Sequence, residues 1–155
     1  NHALFTDHKL HNTGLGFARS MGIHPFKNKL QVAPGVFITI SKNLFNSLPR
    51  ESVNDLGFYE VTQNPQDRWK YKTPTLRNIT LTPPYMHDGS IGDLKNVIEF
   101  YNKGGIQNEN LDPLIRPLGL SKNEKDNLLE FLKTLEGDNV EQLISDAFSQ
   151  TIGER

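Results

Sequence analysis

Apolar residues recur with helical spacing through the C-terminal half of the chain. Leu94, Val97, Ile98 and Tyr101 stand at i, i+3, i+4 and i+7, the stripe of an amphipathic helix. Asp93 immediately before them is a side chain that can cap the first turn. Gly104-Gly105 after them offers the left-handed exit that ends a helix. A second helix is predicted from Ser121, because Glu124 three residues on completes a capping box. Leu128, Leu129, Leu132 and Leu135 form its buried stripe, and Gly137 closes it. A third is predicted from about Asn139, with Val140, Leu143, Ile144, Ala147 and Phe148 on one face.

The N-terminal half reads mostly as connection. "GVFITIS" (35–41) has strand-forming residues over a short span. "ESVNDLGFYEV" (51–61) has room for one helical turn. "KTPTLRNITLTPPY" (72–85) cannot be a long helix, because Pro74, Pro83 and Pro84 each lack a backbone donor. Thr73 and Thr82 before them are pushed towards extended geometry. The pattern predicts one domain, mainly α and loop-rich, with at most short β segments.

Composition narrows the function classes. A length of 155 residues suits a single core. Hydrophobic residues make up only 35%, and 12 Gly with 9 Pro predict much irregular chain. With 17 basic and 18 acidic side chains, nothing draws the surface to nucleic acid or an anionic membrane. No apolar run approaches the roughly 18 residues of a membrane span. The chain opens at Asn1 with neither an initiator Met nor a signal peptide, which reads as a processed or truncated chain. The absence of cysteine excludes disulfides, thiolate metal sites and thioether attachment of haem within these residues.

Histidine chemistry is sparse. His8 and His11 lie three apart among turn residues, and two imidazoles fall short of the three or four ligands that zinc takes. His24 precedes Pro25 in a loop. In "TLTPPYMHDGS" (80–90), Met86 and His87 are both haem-type ligands, yet adjacent residues rarely reach one metal. Met86 is therefore expected to pack and His87 to bond neighbouring backbone, with Asp88-Gly89 forming a turn. Tyr101 has two readings: a core tyrosine with its hydroxyl bonded, or a phenolate facing a metal, as in tyrosine-ligated haems. No nucleophile triad or phosphate-binding loop is present.

Four segments, in order, carry a resemblance: "LFTDHKLHNTGLG" (4–16), "DLGFYEVTQNPQDRWKYKTPTLRNITLTPPYMHDGS" (55–90), "LKNVIEFYNKGG" (94–105) and "LDPLIRPLGLSKNEKDNLLEFLKTLEG" (111–137). Together they resemble the C-terminal haem domain of the bacterial di-haem cytochrome c peroxidase/MauG family. The resemblance covers roughly residues 3–137 and leaves 18–54 and 138–155 with little of it. It implies a cytochrome c-like helical domain over 1–137 and a helical extension over 138–155, within a periplasmic oxidoreductase of two haem c domains. In such proteins the N-terminal haem domain, absent here, reacts with peroxide, and the C-terminal haem relays electrons to or from a redox partner protein or protein substrate.

Residue by residue, the resemblance puts the distal iron ligand fourteen positions after the His of "PYxHDG", at Tyr101. Tyrosine there marks MauG-type members, and methionine marks the peroxidases. Arg77 is implied as a partner of a haem propionate, with Pro74 and Leu76 lining the haem. The backbone carbonyls of Thr82 and Pro84 are implied as calcium ligands, completed from the other domain. One departure is plain: the C-x-x-C-H motif expected just before "LFTD" is missing. The expectation is therefore a fragment without covalent haem or peroxidase activity of its own. Two alternatives stay open: an ordinary peroxidase that reduces hydrogen peroxide with a small protein donor, and a haem-free interaction or scaffold module.

Overall fold

In the computed structural model, the structure describes residues 4–23, 29–33, 36–39, 55–140, 142 and 145–146. Its elements in chain order are β1 (Leu10–His11), α1 (Leu15–Ser20), β2 (Lys29–Ala33), β3 (Val36–Thr39), α2 (Tyr59–Thr62), β4 (Tyr71–Lys72), α3 (Leu94–Asn102) and α4 (Lys122–Lys133), with short 3-10 turns between them. Two antiparallel pairs make up the sheet content among the described residues: β1 with β4, and β2 with β3.

The two long helices begin where their caps predict. Asp93 is extended and accepts a hydrogen bond from the Asn96 N–H at 2.8 Å, which starts α3. Gly104 and Gly105 follow its end at φ 81° and 66°. Both must be glycine for a second reason. A Cβ on Gly104 would stand 2.6 Å from the Pro117 nitrogen, and one on Gly105 2.5 Å from the Thr13 carbonyl oxygen. Ser121 and Glu124 form the reciprocal capping box of α4. This helix ends at Lys133, short of Gly137, whose N–H is taken by the Asn78 side chain at 2.8 Å.

α3 packs on α4, and the Lys125 ammonium reaches Glu99 across the pair at 2.9 Å. Leu15, Tyr85, Ile91, Leu94, Ile98, Phe100, Leu132 and Leu135 form the buried cluster beneath. Each such side chain contributes about 1.5–3 kcal/mol by leaving water. The proline-rich corner docks on this core. The Asn78 N–H bonds the Leu135 carbonyl at 3.1 Å, Tyr85 pairs with Ile91, and the Tyr85 hydroxyl donates to Ile79 at 3.1 Å.

Several expectations meet their counterparts. "GVFITIS" supplies β3 over Val36–Thr39, while residues 35, 40 and 41 lie outside the described residues. The helical turn near residue 60 is α2, and 51–54 lie outside. Of the third helix, Val140, Gln142, Ser145 and Asp146 are helical, and Leu143, Ile144, Ala147 and Phe148 lie outside the described residues. α1, β1 and β4 have no counterpart in the sequence pattern, being too short for a period to register.

Asn12 ties the early chain to the loop beyond α3. It is fully buried, its amide donates to Asn108 Oδ1 and the Asn110 carbonyl (2.9 Å each), and its oxygen accepts from the Gly14 N–H at 2.8 Å. Asn12→Ala removes all three bonds and leaves the Gly14 N–H without its acceptor, while Asn108 Oδ1 keeps the Asn110 N–H. Chemical denaturation is expected to show a loss of about 2–4 kcal/mol, well above a surface substitution.

Candidate functional site

Tyr101 occupies the last turn of α3, and its exposure departs from its stripe. Leu94 and Ile98, two turns and one turn earlier, are 7% and 5% exposed, whereas Tyr101 is 37% exposed. Its ring meets Phe100 edge-on at 5.3 Å. Its hydroxyl makes no hydrogen bond among the described residues, so the reading of a core tyrosine with a bonded hydroxyl does not hold. Burial nevertheless holds the phenol above its ordinary pKa. The oxygen is therefore neutral, unpartnered and partly reachable.

The other sequence-derived residues sit on the proline corner and the segment beside it. The Arg77 guanidinium lies 5.3 Å over the Phe5 ring, and Phe5 in turn meets Phe131 of α4 edge-on at 5.8 Å. The Leu4 carbonyl accepts from Thr75 Oγ1 at 2.6 Å and from the Leu76 N–H at 3.4 Å. Leu76 packs against the core cluster, and Pro74 is exposed. Leu4, Phe5, Leu81, Leu128 and Phe131 are large apolar side chains left at least one-third exposed. Thr82 is exposed, with its hydroxyl turned back to the Ile79 carbonyl at 3.2 Å, and Pro84 is half-buried. Arg77, Leu76 and Phe5 are thus brought together, while Tyr101 connects to them through the shared core.

Of the tempting pair, Met86 packs on the core as expected. His87 does not bond neighbouring backbone. Its ring stacks flat on Tyr71 at 3.7 Å and faces Asp55 at 3.6 Å, because the segment 69–71 runs beneath the turn. Burial lowers the His87 pKa, with Arg19 adding to the effect against Asp88 and Asp55, and burial raises that of Tyr71. The turn itself forms as read: Asp88 accepts from the Ser90 N–H, and Gly89 sits at φ 67°.

His11, too short of fellow ligands in the sequence to read as a zinc site, has a different role. It is bracketed by two carboxylates, Nε2 to Asp7 and Nδ1 to Asp112, both at 2.6 Å. Burial opposes its charge, but the two carboxylates outweigh it and raise its pKa. No sequence signal pointed to Asp112, which lies 101 residues away.

No family model matches the chain. The cytochrome-c peroxidase IdrP2 of Denitromonas iodatirespirans is 36% identical over 141 residues, 89% of this chain and 35% of that protein. The methylamine utilization protein MauG of Methylorubrum extorquens is 34% identical over 96 residues, 61% of this chain and 27% of that protein. A MauG-like protein associated with microbial copper homeostasis has a crystal structure that matches with a TM-score of 0.57 and 31% identity, over 84% of this chain and 35% of that one. The chain belongs to the family of bacterial di-haem cytochrome c peroxidases and MauG. It spans about a third of the length of these relatives. Membership in this family accounts for the four ordered segments of resemblance. Among the described residues, no helix is long and apolar enough to cross a membrane.

The two histidines bias stability in opposite directions. His11 is raised above its ordinary 6.5, so its contribution is complete below that value and is lost as pH rises through the folded pKa. His87 is lowered from 6.5, so its contribution is present above that value and is lost as pH falls through the folded pKa. Unfolding free energies measured from pH 5 to 9 should show His11→Asn flattening the alkaline decline, and His87→Gln flattening the acidic one. Identical profiles for wild type and H11N would refute the bracket's ionic character.

Proposed function

We propose that these residues form the C-terminal, electron-relaying haem domain of a periplasmic di-haem oxidoreductase of the MauG type, with Tyr101 as the axial iron ligand. In this reading residues 1–137 are a mainly α, cytochrome c-like domain, and 138–155 a helical extension. The observation that carries it is the Tyr101 oxygen: unpartnered, on an otherwise buried stripe, at the position where the family places its ligand. The phenol is a hard oxygen donor of the kind found in tyrosine-ligated haems. The phenol is neutral at ordinary pH in any case; burial raises the cost of losing its proton further, and a cation against the oxygen would offset that cost.

The remaining residues fit the group in kind. Arg77, fixed over Phe5, offers a guanidinium for bidentate pairing with a propionate. Pro74 and Leu76, with the exposed Phe5, offer apolar surface to the ring edge. The carbonyls of Thr82 and Pro84 accept no hydrogen bond among the described residues and are free to take calcium, together with a ligand from the N-terminal haem domain. Haem c supplies one-electron redox chemistry when bound, and an anionic oxygen ligand lowers its potential relative to a thioether. Within these residues no cysteine is available for thioether bonds, so ligation, ion pairing and apolar contact would have to hold the group. Peroxide chemistry belongs to the other domain in this reading, and the 155 residues alone should show no peroxidase turnover. The natural partner is a redox protein or a protein substrate.

A second reading is favoured by the breadth of the peroxidase matches, 89% of this chain for IdrP2 against 61% for the MauG of Methylorubrum extorquens. It makes the protein an ordinary peroxidase that draws electrons from a small donor protein. Tyr101→Phe in the full-length, haem-loaded protein separates the two. Loss of the tyrosinate signature at one haem, with a rise of the order of 0.1 V or more in its potential, is expected for the proposed ligand. An unchanged spectrum and potential would sink it.

A further inference from the structure

A cleft of about 590 Å³ lies away from the Tyr101 stripe, lined by Phe17, Ser20, Met21, Leu56, Arg68, Trp69 and Glu109. Two of its walls hold unsatisfied donors. Trp69 is only 5% exposed, and its indole Nε1–H has no acceptor; the buried Nε–H of Arg68 beside it has none either. Buried indole and guanidinium N–H groups are almost always paired. Neither group is free to turn away. The Arg68 guanidinium is held 5.0 Å over the Tyr59 ring, and Trp69 meets Phe17 edge-on at 5.2 Å. The backbone fixes Trp69 as well, at φ 60°, a left-handed conformation that a bulky residue rarely adopts. Its N–H donates to the Leu56 carbonyl at 2.8 Å, and the Phe58 N–H closes on Lys70 at 3.0 Å.

The chemistry of the lining selects the occupant. Two unpaired N–H donors on successive residues, one of them on a permanent cation, ask for a paired oxygen acceptor with a negative charge. Phe17, Met21 and Leu56 ask for an apolar body. Glu109, exposed at the rim, disfavours a dianion such as phosphate and favours a ligand that also carries an ammonium group. We propose that this cleft binds a small monocarboxylate with a compact apolar body, its carboxylate on Trp69 Nε1 and Arg68 Nε. The volume accommodates a branched aliphatic acid or a free apolar amino acid with room to spare. This inference is independent of the haem reading, since it uses none of that site's residues.

Trp69 is the single tryptophan of the chain, so its indole N–H gives one isolated resonance. The 155-residue protein would be labelled with nitrogen-15 and titrated with 4-methylpentanoate, L-leucine, isopentylamine and inorganic phosphate. Both acids should move the indole resonance downfield to saturation, with the amine and phosphate leaving it in place. Leucine binding more tightly than 4-methylpentanoate, by a margin that Glu109→Gln abolishes, would assign the site to amino acids. Equal affinities would assign it to simple acids. Arg68→Gln should weaken either acid at least tenfold. A shift that never saturates, or one that the amine reproduces, overturns the proposal on wild-type protein alone, whatever the folding of R68Q.

Discussion

The buried amide of Asn12 is the interaction on which the arrangement turns. A side-chain amide has fixed donors and acceptors, and sealed from water it must satisfy them within the protein. Asn12 does so only if residues 12–14 lie against 106–112 in one register. The backbone bonds from Ile106 to Thr13 and from Asp112 to Asn12 follow that register, and so does the close pass of Gly105 under the Thr13 carbonyl. A slip by one residue would strand the amide at a cost comparable to losing a core side chain. The end of α3 and the N-terminal segment are therefore positioned by the same few atoms.

Consequences run outward from that knot in two directions. On one side the segment 4–9 is carried to the proline corner, where the Leu4 carbonyl organises Thr75 and Leu76 and Phe5 meets Phe131 and Arg77. On the other, Gly104 and Gly105 turn the chain sharply after Asn102, so that α3 ends with Tyr101 at the surface rather than continuing into the core. His11 adds an electrostatic clasp across the same junction, joining Asp7 to Asp112. Apolar packing supplies the stability, but the polar ties decide which apolar side chains are left facing outward.

What could be read from the sequence follows the range of the interaction. Asp93, Ser121 with Glu124, and the Gly104-Gly105 stop act within four residues, and each does what its spacing predicts. The stripes of α3 and α4 were equally legible, yet periodicity names a face without saying what covers it. Leu128 shares a stripe with Leu132 and Leu135 but remains 36% exposed. His11, Asn12 and His87 were opaque for the opposite reason: their partners lie far along the chain, and no local pattern encodes a ring stacked on Tyr71 or a carboxylate at 112. The pairing of β1 with β4 was hidden likewise, since two residues carry no alternation. No spacing in the sequence spells haem, and that reading entered through the four ordered segments of resemblance.

The choice between a peroxidase and a MauG-type protein comes down to what the Tyr101 position asks of a partner. A thioether there would be neutral with or without a metal, and its surroundings would impose no charge requirement. A phenol whose pKa burial has raised must lose a proton in order to bind, and the low-polarity surroundings resist that loss. Only a partner of high positive charge, placed against the oxygen, offsets both terms. Under the proposed ligation, the same burial would favour an oxidised, hard metal centre over a weakly charged cation. Exposure of just over a third of the residue leaves Tyr101 reachable from outside, and the Gly104-Gly105 turn directs the chain away just beyond it.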